Sequence, residues 1–326
     1  MTLTDMKVSN SIKGIAAVMI MLGHLVTGMH PVTQMLFSGE MWVGVFFFFS
    51  GYGLMHSLCA KGDSYLEHFL VKKILHIWLP FVVAESIYTI ASVCMTGDMA
   101  GIIPGCLGIH LFNSVLWYVD ELMILNILFF AWGKLIYRHR KEKMTSLSVW
   151  VLLYVLFLML GVCFDIGTWW YISTSTFVFG IYIAYIKNSR PDLEARVGLS
   201  LPMEIIVTAA FAAVYVVYRY IGLLYHDDAI FGLPVSYVQT GLAMILVPWF
   251  VLTIAILIKH IPKHAIVNSI TEYLGDVSYD IYLYHGLAIL LIDRVIFNMY
   301  IRLILAVMLT LICAVVIRVV KSRKTK

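Results

Sequence analysis

The chain has 326 residues, 61% of them hydrophobic and only 13% charged, with mean hydropathy +0.91 and a formal net charge of +4. A soluble globular domain carries about 25% charged residues, so this composition excludes one. The charge gives no sign of a nucleic-acid partner either, because the basic residues border apolar runs and form no patch.

Apolar runs recur from end to end, each near the roughly 20 residues needed to cross a bilayer. About ten helices are predicted, near 12–29, 41–59, 74–95, 115–136, 146–164, 170–187, 200–221, 237–258, 277–297 and 301–319. The expected fold class is therefore all-α, a polytopic integral membrane protein. Residues 1–326 are expected to form a single membrane domain with no fused extracytoplasmic domain. Cys59, Cys94, Cys106, Cys163 and Cys313 are scattered without a CxxC pair, which suggests neither a disulfide framework nor a metal site. The first run follows Lys7 and Lys13 as a signal peptide would. It lacks an A-x-A cleavage site and leads almost directly into a second span, so it is read as retained.

In the first span Lys13 and His24 stand eleven residues apart. At about 100° and 1.5 Å per residue they share a helix face, roughly 16 Å apart along the axis. Ionisable groups inside a bilayer are costly and mark function by default. A phosphate-bearing donor with a long thin arm, acyl-CoA above all, can bind Lys13 and carry its thioester to His24. The plainer alternative is that Lys13 marks the end of the span and His24 hydrogen-bonds to a neighbouring helix.

The second span, WVGVFFFFSGYGLMHSL, has a Phe run that covers every side of the helix and a Ser50-Gly51 step after Phe46-Phe47. Glycines there permit either a break facing a cavity or close helix packing. At the start of the third span lie Lys72, Lys73 and His76, with Pro80 one turn further on. This cluster suits the phosphates of a nucleotide-like donor. It equally suits a topology anchor facing lipid headgroups. The outer connections 96–114 and 223–236 contain Gly and Pro and are nearly free of basic residues, consistent with re-entrant or lid-forming segments.

In the fourth span Asp120 and Glu121 diverge by about 100°, so one faces the bundle interior and the other the outer interface. A carboxylate near an imidazole orients it and stabilises its protonated form. Glu85 and Glu204 are weaker candidates, each open to pairing with a buried Tyr or Ser. The ninth span contains Tyr279, Asp280, Tyr282, Tyr284 and His285. Tyr282 and His285 share a face, in a stripe that is either structural or catalytic.

The basic residues test the topology. With the N-terminus inside, all but Arg219, Arg294 and Arg302 of the 23 Lys+Arg fall on the cytoplasmic side, among them Lys134, Arg138, Arg140, Lys141, Arg196, Lys263 and Lys326. That is the positive-inside pattern at every turn. An even number of spans then places both termini in the cytoplasm.

Taken together and in this order, these segments resemble the membrane-bound acyltransferase-3 family. Its first-span pattern, Arg, ten residues, His, is similar to Lys13 and His24. FFxxSG matches Phe46, Phe47, Ser50 and Gly51. A basic RxxR-like segment ending at Pro looks like Lys73, His76 and Pro80. A Trp-aromatic step opening a middle span is similar to Trp117-Tyr118. The closing G-x-x-S-Y-x-x-Y-L-x-H is matched by Gly275, Ser278, Tyr279, Tyr282, Leu283 and His285. The likeness spans nearly the whole chain. Lys replaces Arg at position 13, and Lys73 with His76 replaces the Arg pair. Charge survives at 13 and 73, but the bidentate fork for phosphate does not. Glu121 lies four residues after Trp117, where some members have Glu five residues after the Trp.

The resemblance implies an O-acyltransferase of the class transferring groups other than aminoacyl groups. It implies transfer from cytoplasmic acetyl-CoA, or another acyl-CoA, to a hydroxyl of a cell-surface glycan or lipid-linked sugar. His24 is expected as general base and Glu121 as a further catalytic residue whose role the resemblance leaves open; a transient acyl carrier at His24 is the less favoured variant. Lys13, Lys72, Lys73 and His76 are expected to hold the donor's phosphates. Ser50 and Gly51 are expected to shape the path of its pantetheine arm. Tyr282, His285 and Trp117 are expected to line the acceptor side. No bound cofactor or metal is expected; acetyl-CoA is a co-substrate. The partners are the lipid bilayer, the acyl-CoA and the saccharide acceptor, and the expected location is the bacterial cytoplasmic membrane. The rival reading is a proton-coupled transporter or glycan flippase using the same buried groups as a relay.

Overall fold

In hydrocarbon every backbone N–H and C=O must be satisfied within its own segment, so long apolar runs fold as helices. The computed structural model describes residues 6–26, 37, 39–109, 111–139, 143–164, 167, 169–190, 200–224, 229–230, 233–261, 266–296 and 298–324. Arg140, Lys141, Arg196, Lys263 and Lys326 lie outside the described residues, as do parts of the connection 223–236 and the last residues of the first predicted span.

The helices are α1 (Met6–Leu25), α2 (Gly39–Lys61), α3 (Phe69–Thr96), α4 (Ser114–Tyr137), α5 (Lys143–Cys163), α6 (Ser175–Ser189), α7 (Leu201–Leu224), α8 (Val235–Lys259), α9 (Ile266–Asp276), α10 (Ser278–Asp293) and α11 (Met299–Lys324). Two strands of two residues each, β1 (Ala229–Ile230) and β2 (Leu233–Pro234), pair antiparallel between α7 and α8. The protein is an all-α polytopic membrane protein. Among the described residues, seven helices are long and apolar enough to span a membrane: α1, α2, α3, α4, α7, α8 and α11. The three other predicted spans correspond to α5, α6 and α10. The apolar stretch of α5 runs over Thr145–Gly161, and α6 and α10 have 15 and 16 residues.

The third span is not a uniform helix. Ile74–Trp78 is wound as a π turn, and Pro80 follows in the first turn of the α-helix beyond it. Proline lacks an N–H and its ring collides with the carbonyl four residues back, here that of His76, so the ladder widens just before it. The span ends at Gly97, whose φ of 73° gives the left-handed C-cap that glycine adopts without strain.

The described chain divides into two compact units. The first comprises Met1–Ile12, Glu40–Glu67 and Ala131–Asn268. In it α7 packs along α8, and α6 packs on α8 and α5. Trp150, fully buried, lies against Trp132 and Phe177. The second comprises Lys13–Gly39, His68–Phe130 and Ser269–Lys326. In it α10 packs along α11 and against α3, and Met21 and Leu25 of α1 share a core with Ala306 of α11.

Candidate active site

Most of the residues singled out by sequence fall in the second unit. α1 is seated there by a glycine contact. A Cβ placed on Gly14 would stand 2.5 Å from the backbone nitrogen of Gly275 and 2.6 Å from the carbonyl oxygen of Thr271. Only a residue without a side chain lets the backbones of α1 and α9 meet so closely. Lys13, the residue before it, interacts electrostatically with Asp276 at the end of α9. Asp276 also accepts a hydrogen bond from Arg318 of α11 at 2.7 Å, and the Arg318 guanidinium covers the Tyr273 ring at 4.6 Å.

The other end of α1 brings the His24 ring onto that of His285, with centroids 5.3 Å apart and planes 27° from parallel. His285 has no exposed surface. Its Nδ1 lies 2.6 Å from the carbonyl oxygen of Tyr282. A carbonyl only accepts, so Nδ1 carries the proton and, in the neutral ring, Nε2 holds the lone pair. That Nε2 is buried and has no hydrogen-bond partner among the described residues. Tyr282 is anchored in turn: its hydroxyl donates to the Val115 carbonyl, and the Tyr118 ring meets it edge-on at 5.4 Å. The Tyr279 hydroxyl donates to the Ile77 carbonyl at 2.7 Å. Tyr279 and Tyr282 thus tie α10 to α3 and to the start of α4. Asp280, buried on α10, pairs with Lys321 at 2.7 Å.

A second group of polar residues lies in the same unit. Glu85, fully buried on α3, accepts the backbone N–H of Phe112 at 2.7 Å and that of Asn113 at 3.1 Å. It thereby fastens the end of the outer connection, which includes a short helix at Ile102–Cys106, to α3. The Asn113 carboxamide packs on Gly286 of α10, where a Cβ would lie only 2.5 Å from Nδ2. Asp120 is half-buried, with one carboxylate oxygen unpartnered among the described residues, and Glu121 is buried. Of the remaining sequence candidates, Lys73 is half-buried with its ammonium 5.3 Å from the Phe69 ring centre, and Lys72 is exposed. His76 is exposed, its Nδ1 2.8 Å from the Lys72 carbonyl. Trp117 is half-buried at the head of α4.

Ser50 and Gly51 belong to the first unit. There a Cβ on Gly51 would fall 2.1 Å from the Phe177 carbonyl oxygen, and one on Gly180 would fall 2.3 Å from that of Phe48. This reciprocal contact packs α2 directly on α6. Glu204 accepts from Lys259 at 2.6 Å and pairs with His260 at 2.7 Å, rather than with the Tyr or Ser expected.

Sequence reasoning passed over Asn113 and gave Glu85 only a minor place. The legible signal was local. Asn113 precedes the turn that opens α4, an N-cap position, and glycine follows His285. The contact between the two, 173 positions apart in the chain, leaves no sequence trace.

The second unit thus holds an imidazole stack, one ring of which has a fixed tautomer, a buried carboxylate bound to backbone, and Lys13 eleven residues before His24 on the same helix. Neither a curated protein nor a solved structure matches the chain. A family model described as an acyltransferase domain, that of the acyltransferase-3 family, matches residues 9–320, from the start of α1 to the last turns of α11. That extent takes in both imidazoles and the segment joining them, and the protein belongs to the acyltransferase-3 family.

Proposed function

We propose that this membrane acyltransferase moves an acetyl group from cytoplasmic acetyl-CoA to a hydroxyl of a cell-surface glycan or lipid-linked sugar, with His24 as general base. The observation that carries the reading is the stack of His24 on His285, whose proton is fixed on Nδ1 by the Tyr282 carbonyl. A base in a proton-transfer step needs a defined tautomer and orientation around it. The anchored His285 ring gives His24 a fixed surface to lie on.

Lys13, Lys72, Lys73 and His76 hold the donor phosphates in this proposal, and Ser50 and Gly51 border the pantetheine path. Tyr282, His285 and Trp117 face the acceptor, and Glu121 is a further catalytic residue. The chain crosses the bacterial cytoplasmic membrane ten times with both termini inside, α5, α6 and α10 supplying the three crossings beyond the seven long apolar helices. The positive-inside distribution supports that topology. The enzyme class is acyl transfer to groups other than aminoacyl.

The test is transfer of label from radiolabelled acetyl-CoA to cell-envelope glycans, in membranes carrying wild type or His24→Ala at matched expression. Incorporation is expected in wild type and lost in the variant. Undiminished incorporation in His24→Ala removes His24 from the chemistry. Wild-type incorporation no greater than that of empty membranes, with a proton-linked flux in its place, replaces the enzyme reading by transport.

A further inference from the structure

We propose that the Asn113 side-chain amide is the hydrogen-bond donor that receives the negative charge developing on the acyl carbonyl oxygen during transfer. The inference rests on the acyl-transfer reading above and adds a component that reading lacks. A base alone does not accelerate acyl transfer far. The tetrahedral intermediate carries an oxyanion, and preorganised donors facing it are usually the largest catalytic contribution.

The donors near the His24–His285 stack are largely committed. The hydroxyls of Tyr282 and Tyr279 donate to the Val115 and Ile77 carbonyls. The backbone N–H groups of Phe112 and Asn113 are taken by the Glu85 carboxylate. Asn113 is 3% exposed, and its Nδ2 is buried with no hydrogen-bond partner among the described residues. An amide donor left in that state carries an uncompensated desolvation cost. Asn113 also stands at the N-cap of the turn opening α4, where an Asn side chain ordinarily accepts from the helix backbone. Here it makes no such cap.

Two contacts tie the segment that carries this amide to the stretch of α10 that carries His285. Its carboxamide lies against Gly286, the residue after His285. Two residues further along the same segment, the Val115 carbonyl accepts from Tyr282, whose own carbonyl accepts from His285. The backbone of Asn113 is held by Glu85, so the amide is positioned before any substrate arrives. In the step itself the acceptor oxygen attacks the thioester carbonyl carbon while its proton passes to His24. The carbonyl π pair moves onto oxygen, where Asn113 Nδ2–H donates. Collapse restores C=O and breaks the C–S bond, and the leaving thiolate takes the proton from His24 to depart as the free thiol.

The experiment measures initial rates of acetyl transfer from acetyl-CoA to envelope glycans by the full-length protein, at matched amounts, for wild type, Asn113→Ala and Asn113→Asp. Removing one such donor is expected to lower kcat about 100-fold or more. KM for acetyl-CoA should stay within about threefold, as for an interaction made only in the transition state. Asn113→Asp keeps the size of the side chain and can donate only when protonated, so its rate relative to wild type rises as pH falls. A kcat near that of wild type in Asn113→Ala, a loss confined to KM, or an Asp-to-wild-type ratio flat with pH each overturns the assignment. Wild type that transfers no acetyl group overturns the acyl-transfer reading and this one with it, a result distinct from any change confined to the variants.

Discussion

Glu85 shows how one side chain organises several others. Its carboxylate sits in the third span with no exposed surface, and it meets the backbone of two residues at the end of the connection that follows that span. Glu85→Ala strands two N–H groups and is expected to cost about 2–4 kcal/mol of stability. A lowered thermal midpoint in detergent is the measurement, and an unchanged midpoint would show the connection to be held by other contacts. The same residue marks the limit of what sequence conveys. Lys13, His24 and His285 are conspicuous because charged and imidazole groups are rare in lipid. Asn113 is not conspicuous, because an asparagine just ahead of a helix is ordinary N-cap chemistry. Its meaning comes from Glu85 and Gly286, and that pairing is set by packing.

Among the helices, the long apolar ones were legible because hydropathy and length act over about 20 residues. α9 was not. It has 11 residues, half of them polar, and no hydropathy window large enough to report a span will find it. Yet it supplies the backbone against which Gly14 of α1 closes. The π turn at Ile74–Trp78 was foreshadowed by Pro80 and by nothing else. Glycine spacing also separates two roles within one motif of α2. A Cβ at Gly51 meets the Phe177 backbone, whereas one at Gly53 meets nothing within 4 Å. Gly51→Ala is therefore expected to force α2 from α6 and cost about 1–3 kcal/mol, while Gly53→Ala leaves the fold intact. Thermal unfolding of the two variants decides the point. Equal effects would mean that α2 and α6 are not held by this contact.

For the molecule as a whole, the charges that break the positive-inside pattern are instructive. Two of the three outlying arginines stand beside carboxylates, Arg219 at 3.5 Å from Glu40 and Arg302 at 3.3 Å from Asp293. With all five native cysteines replaced, Met99→Cys in the connection after α3 is expected to react with a membrane-impermeant maleimide added outside intact cells. Lys72→Cys should react only after permeabilisation. The reverse pattern would invert the topology.

The Gly14 contact has a consequence for the length of the donor. With no side chain to yield between α1 and α9, α1 cannot slide along its own axis without opening a gap against Gly275 and Thr271. Positions 13 and 24 stand roughly 16 Å apart by helical rise, and the contact holds that interval in place against α9. For a donor held at Lys13, α1 acts as a gauge. A molecule whose reactive carbonyl falls short of that interval, or overshoots it, binds without presenting its acyl carbon to the imidazole.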